Sequence, residues 1–73
     1  MSEVILTNHA KYRLLERGIG VHEAKRVAKT GRVIKSESGG TIVKIDAPKN
    51  GRSLVVVCMI RGNEIIIKTS YYI

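Results

Sequence analysis

His9, Arg13 and Arg17 recur every four residues within the segment Thr7-Asn8-His9-Ala10-Lys11-Tyr12-Arg13-Leu14-Leu15-Glu16-Arg17-Gly18-Ile19. On an α-helix, positions four apart stack on one face. One imidazole and two guanidiniums would then point the same way. Arginine presents a planar fork of donors that matches phosphate oxygens. Histidine titrates near neutral pH and can carry a proton as general base or acid. The first turn of a helix adds free backbone N–H groups, which favour anions. The chemistry implied is phosphate capture, with proton transfer at His9. The plainer reading has Arg13 paired with Glu16, Arg17 paired with a strand carboxylate and His9 locking the helix start.

A second cluster lies near the C-terminus. Strand alternation would set Lys68, Ser70 and Tyr72 on one face and Ile65, Ile67, Thr69 and Tyr71 on the other, the second set reading as core. Cleavage of RNA needs a base for the 2′-hydroxyl, a cation for the charge that develops on the phosphoryl group and an acid for the leaving oxygen. His9, Arg13, Arg17, Lys68 and Tyr72 include those chemical types and form the candidate catalytic set. Arg13, Arg17, Lys25, Arg52 and Arg61 are the candidates for holding nucleic acid.

Other chemistries find little support. His9 and His22 are too far apart in sequence to read as a metal pair, and no carboxylate cluster joins them, so no metal site is expected. Cys58 is the only cysteine. Set in Leu54-Val55-Val56-Val57-Cys58-Met59-Ile60, it reads as a buried, inert thiol. Gly39-Gly40 lacks the strand-to-helix setting and the lysine of a phosphate-binding loop. No cofactor is expected.

Charge narrows the partners. Thirteen Lys and Arg against six Asp and Glu give a net charge of +7, which attracts polyanions and speeds encounter with them. RNA, another nucleic acid or an acidic protein fits; a basic surface kept for solubility is the bland alternative. With no Phe or Trp, stacking on bases falls to Tyr12, Tyr71 and Tyr72. No stretch is long enough to cross a membrane, and the very short apolar run behind Ser2-Glu3 does not read as a signal peptide, so a cytoplasmic protein is expected. The absence of Gln and the wealth of Ile, Val, Lys and Arg hint at a thermophilic source.

A chain of 73 residues makes one domain, residues 1–73, with a small core. Glu3-Val4-Ile5-Leu6 is read as a short edge strand or a lead-in. Thr7 caps a first helix over Asn8 to Arg17, with Ala10, Leu14 and Leu15 turned inward, and Gly18 ends it. Gly20 caps a second helix over Val21 to Thr30, with Glu23 favouring its dipole, an apolar stripe at Ala24, Val27 and Ala28, and Gly31 as its stop. Strands follow at Arg32-Val33-Ile34-Lys35, Thr41 to Asp46, Ser53 to Ile60 and Glu64 to Tyr71. Between them come the turn Ser36 to Gly40, a loop at Ala47-Pro48-Lys49-Asn50-Gly51 with its Asn-Gly turn signal, and the hairpin turn Arg61-Gly62-Asn63. The strand from Ser53 is apolar on both faces and belongs in the sheet centre. The expected fold is α+β, two N-terminal helices packed on an antiparallel sheet of about four strands. The far sheet face then calls for a cover, such as a dimer partner.

The pattern Thr7-x-His9-Ala10-x-x-Arg13-Leu14-x-x-Arg17-Gly18-Ile19, together with the ending Ile66-Ile67-Lys68-Thr69-Ser70-Tyr71, resembles a family of small prokaryotic domains of unknown function. That family looks like a distant branch of the RelE-like and BrnT-like toxins. The resemblance implies a RelE-like α+β fold, mRNA cleavage as a metal-independent endoribonuclease and neutralisation by an antitoxin protein. The matching positions are His9, Arg13, Arg17 and Tyr71; Arg61, Lys68 and Tyr72 lie where RelE-type enzymes carry working residues, without a motif match. The competing expectations are a non-catalytic nucleic-acid-binding or regulatory module and a dimerising protein-interaction domain.

Overall fold

The computed structural model describes residues 3–46 and 51–73. The chain order is β1 (Glu3–Leu6), α1 (Asn8–Glu16), α2 (Val21–Thr30), β2 (Arg32–Ser36), a 3₁₀ turn, β3 (Thr41–Ile45), β4 (Leu54–Arg61) and β5 (Glu64–Tyr72).

Local sequence explains both helices. Thr7 Oγ1 accepts the Ala10 N–H at 3.0 Å, the N-cap bond that satisfies one orphan donor. At the other end Gly18 takes φ +67°, a left-handed conformation that costs glycine nothing. Gly18 N then donates to the Leu15 carbonyl at 3.2 Å and Ile19 N to the Leu14 carbonyl at 2.9 Å. This is the Schellman closure, completed by burial of Leu14 and Ile19 together. Leu15, expected to face inward, is 81% exposed, because one step past Leu14 rotates it about 100° off the core face. In α2 the stripe of Ala24, Val27 and Ala28 is fully buried. Gly31 ends the helix where a Cβ would stand 2.5 Å from the Val27 carbonyl oxygen and 3.1 Å from that of Ile45, so only glycine lets α2 turn against β3.

The sheet is mixed and five-stranded, in the order β1-β5-β4-β3-β2. This corrects the expected antiparallel sheet of about four strands. Glu3–Leu6 is a true strand, and it pairs in parallel with β5, Leu6 opposite Ile67. The chain crosses over both helices and three strands before β5 forms, and that crossover makes the pairing parallel. β4 holds the centre, as its two-sided apolarity requires. Both helices cover one face, over a core that includes Val4, Leu6, Ala10, Leu14, Val27, Val56, Cys58, Ile65 and Ile67.

The alternation expected along β5 is broken. Cys58 pairs with Ile67 but Val57 pairs with Thr69, so Lys68 is the extra residue of a β-bulge. The bulge puts Ile65, Ile67, Ser70 and Tyr72 in the rows that face the helices, while Thr69 and Tyr71 join the far face. Ser70 is fully buried and donates its hydroxyl to the Val55 carbonyl at 2.7 Å. Lys68, Ser70 and Tyr72 therefore do not share one open face. The loop expected at Ala47 to Gly51 lies outside the described residues except for Gly51.

Candidate nucleic-acid interface

The ladder forms as helical spacing dictates. His9, Arg13 and Arg17 lie along α1 and its C-cap. Arg13 Nε approaches His9 Nε2 at 3.4 Å, a long hydrogen bond in which the imidazole accepts. Arg13 Nη1 also pairs with Glu16 at 3.2 Å, both side chains more than a third exposed. The pairing with Glu16 is the one the plainer reading expects, and an exposed i,i+3 pair of this kind is worth a few tenths of a kcal/mol. Arg13 keeps Nη2 free of any partner among the described residues.

Arg17 has a different setting. Its Nη1 donates to the Ser70 carbonyl at 2.8 Å and to Thr69 Oγ1 at 3.1 Å. The reason lies in the sheet. β1 stops at Leu6 opposite Ile67, so β5 beyond that point has no strand on its outer side. Ser53 and Ile73 exchange both backbone bonds. Counting back in an antiparallel ladder, Ser70 opposite Val56 falls at a position whose N–H and C=O point away from β4. Arg17 fills that bare edge. It bonds neutral oxygens, not the strand carboxylate expected, and has no ion pair among the described residues.

That bond fastens the ladder to the end of β5, and the other candidates can be placed from there. Lys68 is exposed at the bulge, next to Thr69. Tyr72 ends β5, 37% exposed, with the Arg52 guanidinium over its ring at 4.5 Å from the centroid, a cation–π contact. His9, Arg13 and Arg17 thus lie on α1 and its C-cap, Lys68 and Tyr72 on the C-terminal half of β5, and Arg52 just before β4, against Tyr72. Arg61 is not among them. It pairs with Glu64 at the start of β5, whereas Tyr72 pairs with Leu54, about 23 Å away at roughly 3.3 Å per residue. Lys25 sits on α2, half-buried. His22 is exposed, and no group of three or more metal-ligating side chains occurs among the described residues. No helix of the described residues is long and apolar enough to cross a membrane.

Sequence reading passed over one functional group of the fold. Asp46 accepts the Leu54 N–H at 2.8 Å through Oδ1 and meets Arg26 Nη2 at 3.4 Å through Oδ2. Arg26 also pairs with Glu23 at 2.8 Å, and these two carboxylates, Glu23 foremost, push its pKa up. Asp46 stands at the end of β3, just before Ala47-Pro48, which is a position where a carboxylate commonly ties a loop.

With this geometry in hand, the comparison with known families is informative about kind. The chain belongs to the family described as "Domain of unknown function (DUF4258)", which matches residues 6–72. No curated protein and no solved structure matches it.

Proposed function

We propose that this domain binds RNA on the surface where α1 meets the C-terminal half of β5, with His9, Arg13, Arg17, Lys68 and the Arg52–Tyr72 pair as its contacts. One observation carries the reading. Within Thr7–Ile19, Thr7 caps the helix, Ala10 and Leu14 fill the core, and Gly18 and Ile19 close the end. His9 and Arg13 do none of this, yet they touch each other on an exposed face. Arginines that can reach phosphates, beside the Tyr72 ring with Arg52 over it, make a surface for single-stranded RNA. Fluorescence anisotropy with a single-stranded RNA tests it. Binding should weaken steeply with salt and fall further in Arg13→Ala/Arg17→Ala; equal affinity of that variant and wild type refutes the reading.

The second reading, favoured by the exposed His9 beside Arg13, adds cleavage of the RelE-like and BrnT-like toxin kind, with an antitoxin protein as partner. In it His9 takes the proton of a ribose 2′-hydroxyl, the 2′-oxygen attacks phosphorus, and the 5′-oxygen leaves with a proton from Tyr72. The products are a 2′,3′-cyclic phosphate and a 5′-hydroxyl. Arg13, Arg17 and Lys68 would hold the phosphate oxygens as charge builds. RNA left intact by the purified protein, with and without ribosomes, removes this reading; cleavage lost in His9→Ala alone supports it.

A further inference from the structure

We propose that two copies of this chain pack face to face through the sheet surface that the helices leave bare. The strand registers lay that surface out in rows. The first holds Glu3, Glu64 and Arg61. The second holds Ile5, Ile66, Met59 and Thr41. The third holds Thr69, Val57, Val43 and Lys35, and the fourth Tyr71, Val55, Ile45 and Arg32. The middle of the face is apolar, and Ile5, Ile66, Met59, Val57, Val43 and Ile45 are each only half-buried. Contiguous apolar surface of this kind is a mark of an interaction site.

The charges decide the occupant. Glu3 stands directly opposite Glu64 in the parallel pair, a like-charge juxtaposition that costs stability. Neither carboxylate has an ion pair among the described residues. At the opposite corner, on the far edge strand, lie Arg32 and Lys35, the first without an ion pair among the described residues and the second 3.4 Å from Glu37. With Arg61 opposite Glu64 and Glu37 beside Lys35, the face keeps a net negative corner, an apolar diagonal and a net positive corner. A two-fold axis lying in the interface, across that diagonal, sets the acidic corner of each copy on the basic corner of the other. One patch then meets itself with charges complementary at both ends, as an isologous dimer requires. The four rows span about 19 Å across the strands and about 20 Å along them, with Val55 in the fourth row already buried. Reflection across the diagonal of so nearly square a face crosses the two sets of strands at close to a right angle, one of the two established sheet-packing geometries.

Sedimentation velocity on the full chain without nucleic acid tests the dimer independently of RNA binding. Wild type should move from the 8.1 kDa monomer towards twice that mass as concentration rises. Glu3→Lys/Glu64→Lys and Arg32→Glu/Lys35→Glu should each weaken association roughly tenfold or more, with circular dichroism unchanged. An equimolar mixture of the two variants should regain the dimer, because both corners are then oppositely charged again. Wild type monomeric at every concentration, a dimer indifferent to the corner substitutions, or a mixture that stays monomeric overturns the proposal.

Discussion

Arg26 on α2 and Arg17 at the end of α1 are chemically identical and differently occupied. Arg26 pairs with two carboxylates, Glu23 and Asp46. Arg17 donates to a hydroxyl and a backbone carbonyl. A guanidinium between carboxylates has its field cancelled locally, whereas one held by neutral oxygens is fixed in place and keeps its field. With Glu16 as the one carboxylate paired with the ladder among the described residues, α1 and the end of β5 carry surplus positive charge, while the Arg26 cluster carries none. The difference separates an arginine that holds the fold from one that can also hold a phosphate.

The largest effect should come from breaking the holding side. Asp46→Ala leaves the Leu54 N–H without its acceptor in a part-buried site and removes one partner of Arg26. The loss should be about 1–3 kcal/mol in urea denaturation, with RNA affinity per folded molecule unchanged. Arg17→Ala comes next. It strips the Ser70 carbonyl of its donor, costing about 1 kcal/mol, and weakens RNA binding as well. Arg17→Lys keeps the charge but loses the fork that reaches both oxygens, so it should restore more of the affinity than of the stability. His9→Ala should leave stability within about 0.5 kcal/mol of wild type, since the 3.4 Å contact to Arg13 is long and exposed; unchanged RNA binding together with lost cleavage would assign His9 to proton transfer.

Cys58 offers the smallest and most discriminating probe. It lies fully buried under the helices, its thiol donating weakly to the Ile42 carbonyl at 3.6 Å, and burial pushes its pKa up from 9.0. The folded state thus keeps the proton longer than the unfolded chain. Its contribution to stability is complete below the unfolded pKa and is lost as pH rises through the folded one. Relative to Cys58→Ala, wild type should lose a little extra stability above about pH 9, read from urea midpoints. Thiol labelling at neutral pH should be slow in wild type and in His9→Ala, faster in Arg17→Ala and fastest in Asp46→Ala. The reverse order would exchange the roles given to the two arginines.

The parts of the molecule that local chemistry dictates were legible from the chain. Thr7, Gly18 and the stripe Ala24, Val27 and Ala28 set both helices through contacts within a few residues. The two-sided apolarity of Leu54 to Ile60 placed β4 in the centre. What escaped depends on distant partners. The parallel pairing of Glu3–Leu6 joins the two ends of the chain, and Arg17 reaches Ser70 across 53 residues. The bulge at Lys68 leaves no mark on a strand whose residues alternate plausibly in either register, and it moved Ser70 into the core. The ladder was readable because helical spacing is local. Its attachment to β5 was not, because it follows from where β1 happens to stop.

The contrast between the two arginines is tested most directly by the slope of RNA affinity against salt. Each phosphate contact removed should make log–log plots for single-stranded RNA shallower by about 0.7. Arg13→Ala/Arg17→Ala should lower the slope by roughly 1.4, and Arg26→Ala should leave it where wild type has it. Equal losses from both variants would mean that α1 carries no special surface and that only total charge matters.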